Sequence, residues 1–349
     1  DESRYNFRTG VQDTNWEYLY RILNNLKDIE KRATFNETPN MLNVSKVMQV
    51  HLMQVATDRW RDVPYTDAAK MTDGILQPKY DKQEDIYPGL LATLKEAADG
   101  FADGGSDDLG EGDLLFGGDI EKWQRYCNSM RLRLAMRISE VSPALAKETV
   151  EEVMGNPTKY PIMESNDDNA FFWWIGTDPN YYEPMADGYR TRKTEYCAAD
   201  VIVDHMNTRE DPRRSSYFQP TKESVEAGEP KYVGYTIGAK ANAVASKYSI
   251  WGVRFFTDLA GFSPYMRVAE PWFCVAEASM LGWNTGISAE DAYNKAVTYS
   301  MEENSVSAED IADYLANAGK FTNDKKQIYY EEWVAMFKQG MEGWSLYRR

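Results

Sequence analysis

Between Leu115 and Ser139 the chain reads LFGGDIEKWQRYCNSMRLRLAMRIS, and no other stretch constrains the fold as strongly. Apolar residues fall at Ile120, Trp123, Cys127, Met130, Leu134, Ile138 and Val141. That spacing draws one stripe along a helix over Asp119–Val141, with Arg125, Arg131, Arg133 and Arg137 off the stripe. Asp119 follows Gly117 and Gly118 and suits an N-cap. Its short carboxylate can accept from backbone N–H groups that the first helical turn leaves unpaired. A capped amphipathic helix of this length must bury its stripe against other helices.

The flanking sequence supplies such partners. Trp16–Ala33 is helix-rich. Val44, Val47, Met48, His51, Leu52 and Val55 fall on one helical face. Pro64, within DRWRDVPYTDAA (Asp58–Ala69), ends that run. Ile86–Phe101 and Pro143–Met154 read as further helices, and helices resume after Ser263. Ala97 to Phe101 and Ala289 to Tyr293 share the A-x3-[FY] spacing of the second helix in tetratricopeptide repeats. There a small residue lets two helices approach and an aromatic fills the next groove. Two antiparallel pairs are expected: Lys82–Phe101 with Asp119–Val141, and Pro271–Leu281 with Ala289–Met301.

Between Gly155 and Tyr196 the character changes. Four prolines, several Gly and Asn, and nine aromatics interrupt any long helix. Cys197–Asn207 reads as a short helix before the turn Asp211–Pro212–Arg213, and Gly228–Ser263 as mixed and partly extended. We read this middle as an irregular excursion held by the helical scaffold, the kind of segment that carries binding residues. If Trp173 and Trp174 are extended, they point to opposite sides, one inward and one outward. Tyr181 and Tyr182 lie between Pro179 and Pro184, so their rings are held in a stiff loop.

Composition narrows the function. The 349 residues carry a formal net charge of -16, which opposes nucleic acid and anionic lipid surfaces. Ten Trp and 23 Tyr exceed what one core needs and suit stacking platforms. The longest apolar run, Ala170–Ile175, is far shorter than the roughly 20 residues of a membrane-spanning helix. Catalytic motifs such as GxSxG, HExxH, a P-loop or GxGxxG do not occur. The two histidines, His51 and His205, lie on helical faces and read as core or interface residues. Cys127, Cys197 and Cys274 are widely spaced, fit no zinc pattern and read as free thiols in helices. Asp103, Asp107, Asp108, Glu111 and Asp113 cluster in a Gly-rich loop. It reads as a solvated acidic loop, with structural calcium as the alternative and no cofactor otherwise expected.

Five blocks in chain order resemble the SusD/RagB family. They are DRWRDVPYTDAA (Asp58–Ala69), YDKQEDIYPGLLATLKEA (Tyr80–Ala97), the Asp119 helix, VIVDHMNTREDPRRSSYF (Val201–Phe218), and RVAEPWFCVAEASMLGW (Arg267–Trp283) with QIYYEEWVAMFKQGMEGWSLYRR after it (Gln327–Arg349). The match is closest to the branch of shorter members. Pro271 departs from it, standing where relatives run straight helix, so a helix is expected to start there. The resemblance implies a mainly α fold: a tetratricopeptide-like, helix-pair superhelical scaffold with a loop-rich ligand-binding half. One SusD-like domain would span 1–349, with scaffold at 15–154 and 267–349 and the aromatic excursion at 155–266.

It also implies a non-catalytic, outer-membrane, cell-surface lipoprotein. Such a protein captures oligosaccharides for a SusC-like TonB-dependent transporter. Contact with the membrane would be through a lipid anchor alone. The anchor Cys and leader are expected upstream of Asp1, and relatives continue beyond Arg349. An oligopeptide ligand, or a helical-repeat adaptor that binds proteins, is the alternative; a glycan hydrolase ranks behind both. The ligand surface is expected at Trp173, Trp174, Tyr181, Tyr182 and Tyr189, ranked above Trp251.

Overall fold

A computed structural model describes residues 9–192, 196–239 and 244–349, so residues 193–195 and 240–243 of the aromatic excursion lie outside it. The chain is about 60% helical, as expected for the mainly α class. It divides into two compact units. One comprises residues 9–164, 271–292 and 341–349, the other 165–270 and 293–340. Among the described residues no helix is long and apolar enough to cross a membrane.

The first unit is helical. It opens with α1 (Thr9–Phe35), α2 (Pro39–Trp60), α3 (Gln83–Asp103), α4 (Ile120–Arg137) and α5 (Pro143–Gly155). Each packs on its neighbour in sequence, and α2 also touches α4. Because α2 has α1 on one side and α3 and α4 on another, it is covered nearly all round. Its most buried residues are Val47, Val50, Met53, Gln54 and Thr57. Of the face read from sequence, Val47 is fully buried, while Val44, Met48, His51, Leu52 and Val55 are only half-buried. The expected partnership of α3 with α4 is present, and Asp119 caps α4 by accepting from the Lys122 N–H at 3.1 Å.

Three details differ from the sequence reading. Helix α4 ends at Arg137, so Val141 falls outside it and is exposed. The off-stripe Arg131 and Arg133 are buried, and Arg137 nearly so. Carboxylates make that burial tolerable: Arg131 pairs with Glu152, and Arg137 with Asp58 at 2.6 Å and Glu342 at 2.9 Å. A guanidinium removed from water needs such partners. The acidic loop is also committed locally. Asp107 accepts from the N–H groups of Asn40 and Met41, capping α2, because the side chain of Thr38 at the N-cap donates back to the Ala33 carbonyl and caps nothing. Asp113 accepts from Leu115, Gly118 and the Trp123 indole.

The second unit is mixed. Strand β1 (Ala170–Trp173) leads to α6 (Pro184–Thr191), α7 (Asp200–Thr208), α8 (Arg214–Tyr217), β2 (Phe218–Gln219) and α9 (Lys222–Glu226). Strand β3 (Ile250–Trp251), α10 (Val253–Phe256) and β4 (Phe262–Met266) follow. Cys197 precedes α7 rather than lying within a helix. Beyond β4 the chain runs through α11 (Ala269–Met280), almost wholly in the first unit, then α12 (Ala289–Glu303), α13 (Ala308–Ala316) and α14 (Lys325–Ala335), and returns to the first unit with α15 (Gly340–Arg348). Pro271 sits in the first turn of α11, where its missing N–H costs nothing. Strands β1 and β4 pair antiparallel, Phe172 opposite Ser263 and Trp173 opposite Phe262, with an irregularity at Ala170/Phe171. Strands β2 and β3 pair Phe218 with Trp251. The core of this unit gathers Phe171, Val203, Met206, Tyr217, Phe218, Phe255, Phe262 and Val334.

Candidate ligand-binding site

The expected aromatic residues all lie in the mixed unit, but in two groups. Around β1 the period of two holds beyond the strand end. Phe171 and Trp173 meet edge to face at 6.1 Å, and Phe172 and Trp174 do so at 5.2 Å. Trp173 is 57% exposed and leans on Phe262 at 5.3 Å. Trp174 is half-buried, and its indole N–H donates to the Ser263 hydroxyl at 2.9 Å. One tryptophan therefore faces outward while the other is fastened to β4.

The loop after β1 is closed by backbone bonds. The Trp174 N–H donates to the Gly261 carbonyl, and the Gly176 N–H to that of Tyr181. Gly176 has φ +70° and lies against Ala260, where a Cβ would come within 2.6 Å of backbone nitrogen, so only glycine fits. Asp178 then accepts from the Asn180 N–H and sets the short turn Pro179–Tyr181. On this turn Tyr181 is 51% exposed. Tyr182 is half-buried, with the Arg190 guanidinium 5.6 Å from its ring centre.

The second group forms around Phe256. Tyr189 of α6 lies 3.8 Å from it, Trp251 at 5.0 Å and Tyr196 at 5.4 Å, the last two nearly edge-on. Phe256 is fully buried, while Tyr189, Tyr196 and Trp251 are half-buried. Trp251, ranked last from sequence, thus shares Phe256 with Tyr189 and Tyr196. Tyr196 and Phe256 were not singled out. Their positions give no periodic signal, since Tyr196 precedes α7 in irregular chain and α10 is one turn long.

Buried charges fix both groups. Glu183 caps α6 by accepting from the Ala186 N–H at 2.7 Å, and pairs with Lys338 at 3.1 Å. Lys338 also donates to the Phe262 carbonyl at 2.6 Å. Burial holds its amine below the usual value, while Glu183 acts in the opposite direction. Glu303 binds Arg254 at 2.9 Å and Arg267 at 2.8 Å. Arg254 lies 4.9 Å from the Phe262 ring, Lys338 5.0 Å and Arg267 6.0 Å. Under α7 and α8, Arg213 is fully buried and binds Asp211 and Glu331, both at 2.6 Å. The arrangement offers exposed rings on a floor locked by ion pairs. It supplies stacking surfaces and polar edges, with no nucleophile poised beside a base. Among the described residues no group of three or more His, Cys, Asp or Glu could hold a metal.

His51 takes no part in this site, and His205 lies outside both ring groups. The His51 Nδ1 meets the Tyr126 hydroxyl at 2.9 Å, and burial pushes its pKa down to about 4. Burial also lowers that of His205.

A family model described as "Starch-binding associating with outer membrane", and named SusD-like, matches residues 1–349. No match is found among curated proteins. Among solved structures, a chitin-binding protein is 28% identical, with 99% of this chain and 77% of that one covered and a TM-score of 0.87. A chitin-binding SusD homologue from Flavobacterium johnsoniae is 27% identical, covering 96% and 73%, with a TM-score of 0.79. A SusD-like protein from Bacteroides thetaiotaomicron is 25% identical, covering 99% and 76%, with a TM-score of 0.83. The fold is accordingly SusD-like, with tetratricopeptide-like helices. On a match that runs the whole length of the chain, this protein belongs to the SusD/RagB family.

Proposed function

We propose that the protein is a non-catalytic, cell-surface binder that captures oligosaccharides outside the outer membrane and delivers them to a SusC-like TonB-dependent transporter. Lipid anchoring and the transporter partner follow from the family and are part of this proposal. The observation that carries it is the set of exposed and half-buried rings, Trp173, Tyr181, Tyr189 and Trp251, held on a floor of buried ion pairs. Rings fixed before binding lose little freedom when a sugar stacks on them. Two similar structures are chitin-binding proteins, so N-acetylglucosamine oligomers are the first ligands to test.

The experiment is calorimetry with chito-oligosaccharides on Trp173→Ala, Tyr181→Ala and Trp251→Ala. A stacked ring contributes about 0.5–1.5 kcal/mol beyond area burial. Loss of a platform ring should therefore weaken binding by about two- to tenfold. Trp173→Ala and Tyr181→Ala should leave the melting temperature nearly unchanged. If all three variants bind like the parent, the site lies elsewhere. Steady release of reducing sugar that a single carboxylate substitution abolishes would overturn the non-catalytic reading.

A further inference from the structure

The ring cluster does not stop at Trp251. Phe337 lies 6.5 Å from it, edge-on, just beyond the end of α14. Trp251, Trp333 and Phe337 all pack, partly exposed, on the same core. Tyr330 and Trp333, at i and i+3, share one face of α14, and Phe337 follows in the turn beyond its end. Trp251, Phe337 and Trp333 thus lie against one core, Phe337 itself stacked on Tyr217 at 4.4 Å, with Tyr330 one turn before Trp333 on α14.

Tyr330 is built as a platform. It is 53% exposed. Its ring lies nearly parallel to His205 of α7, at 26° and 5.2 Å, and Trp333 closes on that imidazole edge-on at 6.1 Å. The His205 Nε2 is shielded and has no hydrogen-bond partner among the described residues. The imidazole therefore acts here as a backing plate, not as a polar contact. An exposed amphipathic ring backed by other rings suits a sugar; a protein partner would call for a broad aliphatic patch.

We propose that Tyr330, backed by His205 and Trp333, is an outer subsite on which the far end of a long oligosaccharide stacks, an inference that rests on glycan capture as the function. Short oligomers occupy the rings near Trp251, and longer ones reach along α14.

The test compares Tyr330→Ala, Tyr330→Phe and Trp251→Ala by calorimetry, using short (two- or three-sugar) and long (six- to eight-sugar) chito-, malto- and xylo-oligosaccharides. For the series that binds, Tyr330→Ala should weaken the long oligomers about two- to tenfold. It should leave the short ones and the melting temperature unchanged. Tyr330→Phe, which keeps the stacking face, should bind like the parent, whereas Trp251→Ala should weaken every length. Unchanged affinity of Tyr330→Ala for long oligomers, or equal weakening of short and long ones, overturns the outer subsite while leaving glycan capture standing. A parent protein that binds none of the three series overturns both.

Discussion

Glu342 shows how one residue ties helices together. Its carboxylate receives Arg137 at 2.9 Å and the Gln54 amide at 3.0 Å, and lies 3.9 Å from Arg133. Burial by itself would raise this carboxyl, but Arg133 and Arg137 outweigh it and hold it at about 2, below its usual 4.5. The unfolded chain therefore binds more protons than the folded one between those values, so stability falls as pH drops through this window. The shift corresponds to something on the order of 3 kcal/mol, present above about pH 4.5 and lost by about pH 2. Glu342→Gln should lower stability at neutral pH, since Arg133 and Arg137 lose a nearby carboxylate, with Asp58 still paired to Arg137. It should also flatten the acid limb of stability against pH. Urea unfolding midpoints from pH 7 to pH 2.5 measure both; an acid limb as steep as the parent's would refute this assignment. None of this could be read from position 342 alone, because Arg133 and Arg137 stand some two hundred residues earlier and meet it only through folding.

Among the elements, the smallest ones carry the site. Strands β2 and β3 are two residues each, yet their pairing places Trp251 opposite Phe218. Gly252 follows directly and donates its N–H to the Tyr217 carbonyl. A Cβ at Gly252 would stand 1.8 Å from the Ser216 carbonyl oxygen, a backbone atom that cannot swing away. Gly252→Ala should therefore push β3 off β2 and tilt Trp251, costing about 1–3 kcal/mol as an overpacked site. Melting temperature and oligosaccharide affinity should fall together, unlike Trp173→Ala, which lowers affinity alone. A variant that melts and binds like the parent would show that the strand yields freely. The long helices were legible from periodicity and from the Asp119 cap because those signals are local. The short elements were not, since two-residue ladders and one-turn helices give no periodic pattern to count. For the same reason the contacts of Trp251 with Phe256 and of Tyr196 with Phe256 could not be read from sequence.

Taken whole, the molecule carries a net charge of -16, but its outward rings suit an uncharged ligand. Stacking on a neutral glycan neutralises no charge, so raising salt from about 50 to about 500 mM should change affinity less than about twofold. Calorimetry at the two salt levels checks this; a steep loss of affinity would mark an ionic ligand and overturn neutral-glycan capture. The sequence alone determined the helical class, the helix cap, the interruption between Gly155 and Tyr196 and the family, because helix periodicity and short motifs are written in neighbouring residues. It also confined the candidate rings to the middle of the chain. Only tertiary structure decided which rings face outward, that Trp251 shares Phe256 with Tyr189, and that arginines beside an apolar stripe are buried against distant carboxylates. Those outcomes depend on contacts between residues far apart in the chain, where burial and charge pairing are properties of the assembled fold.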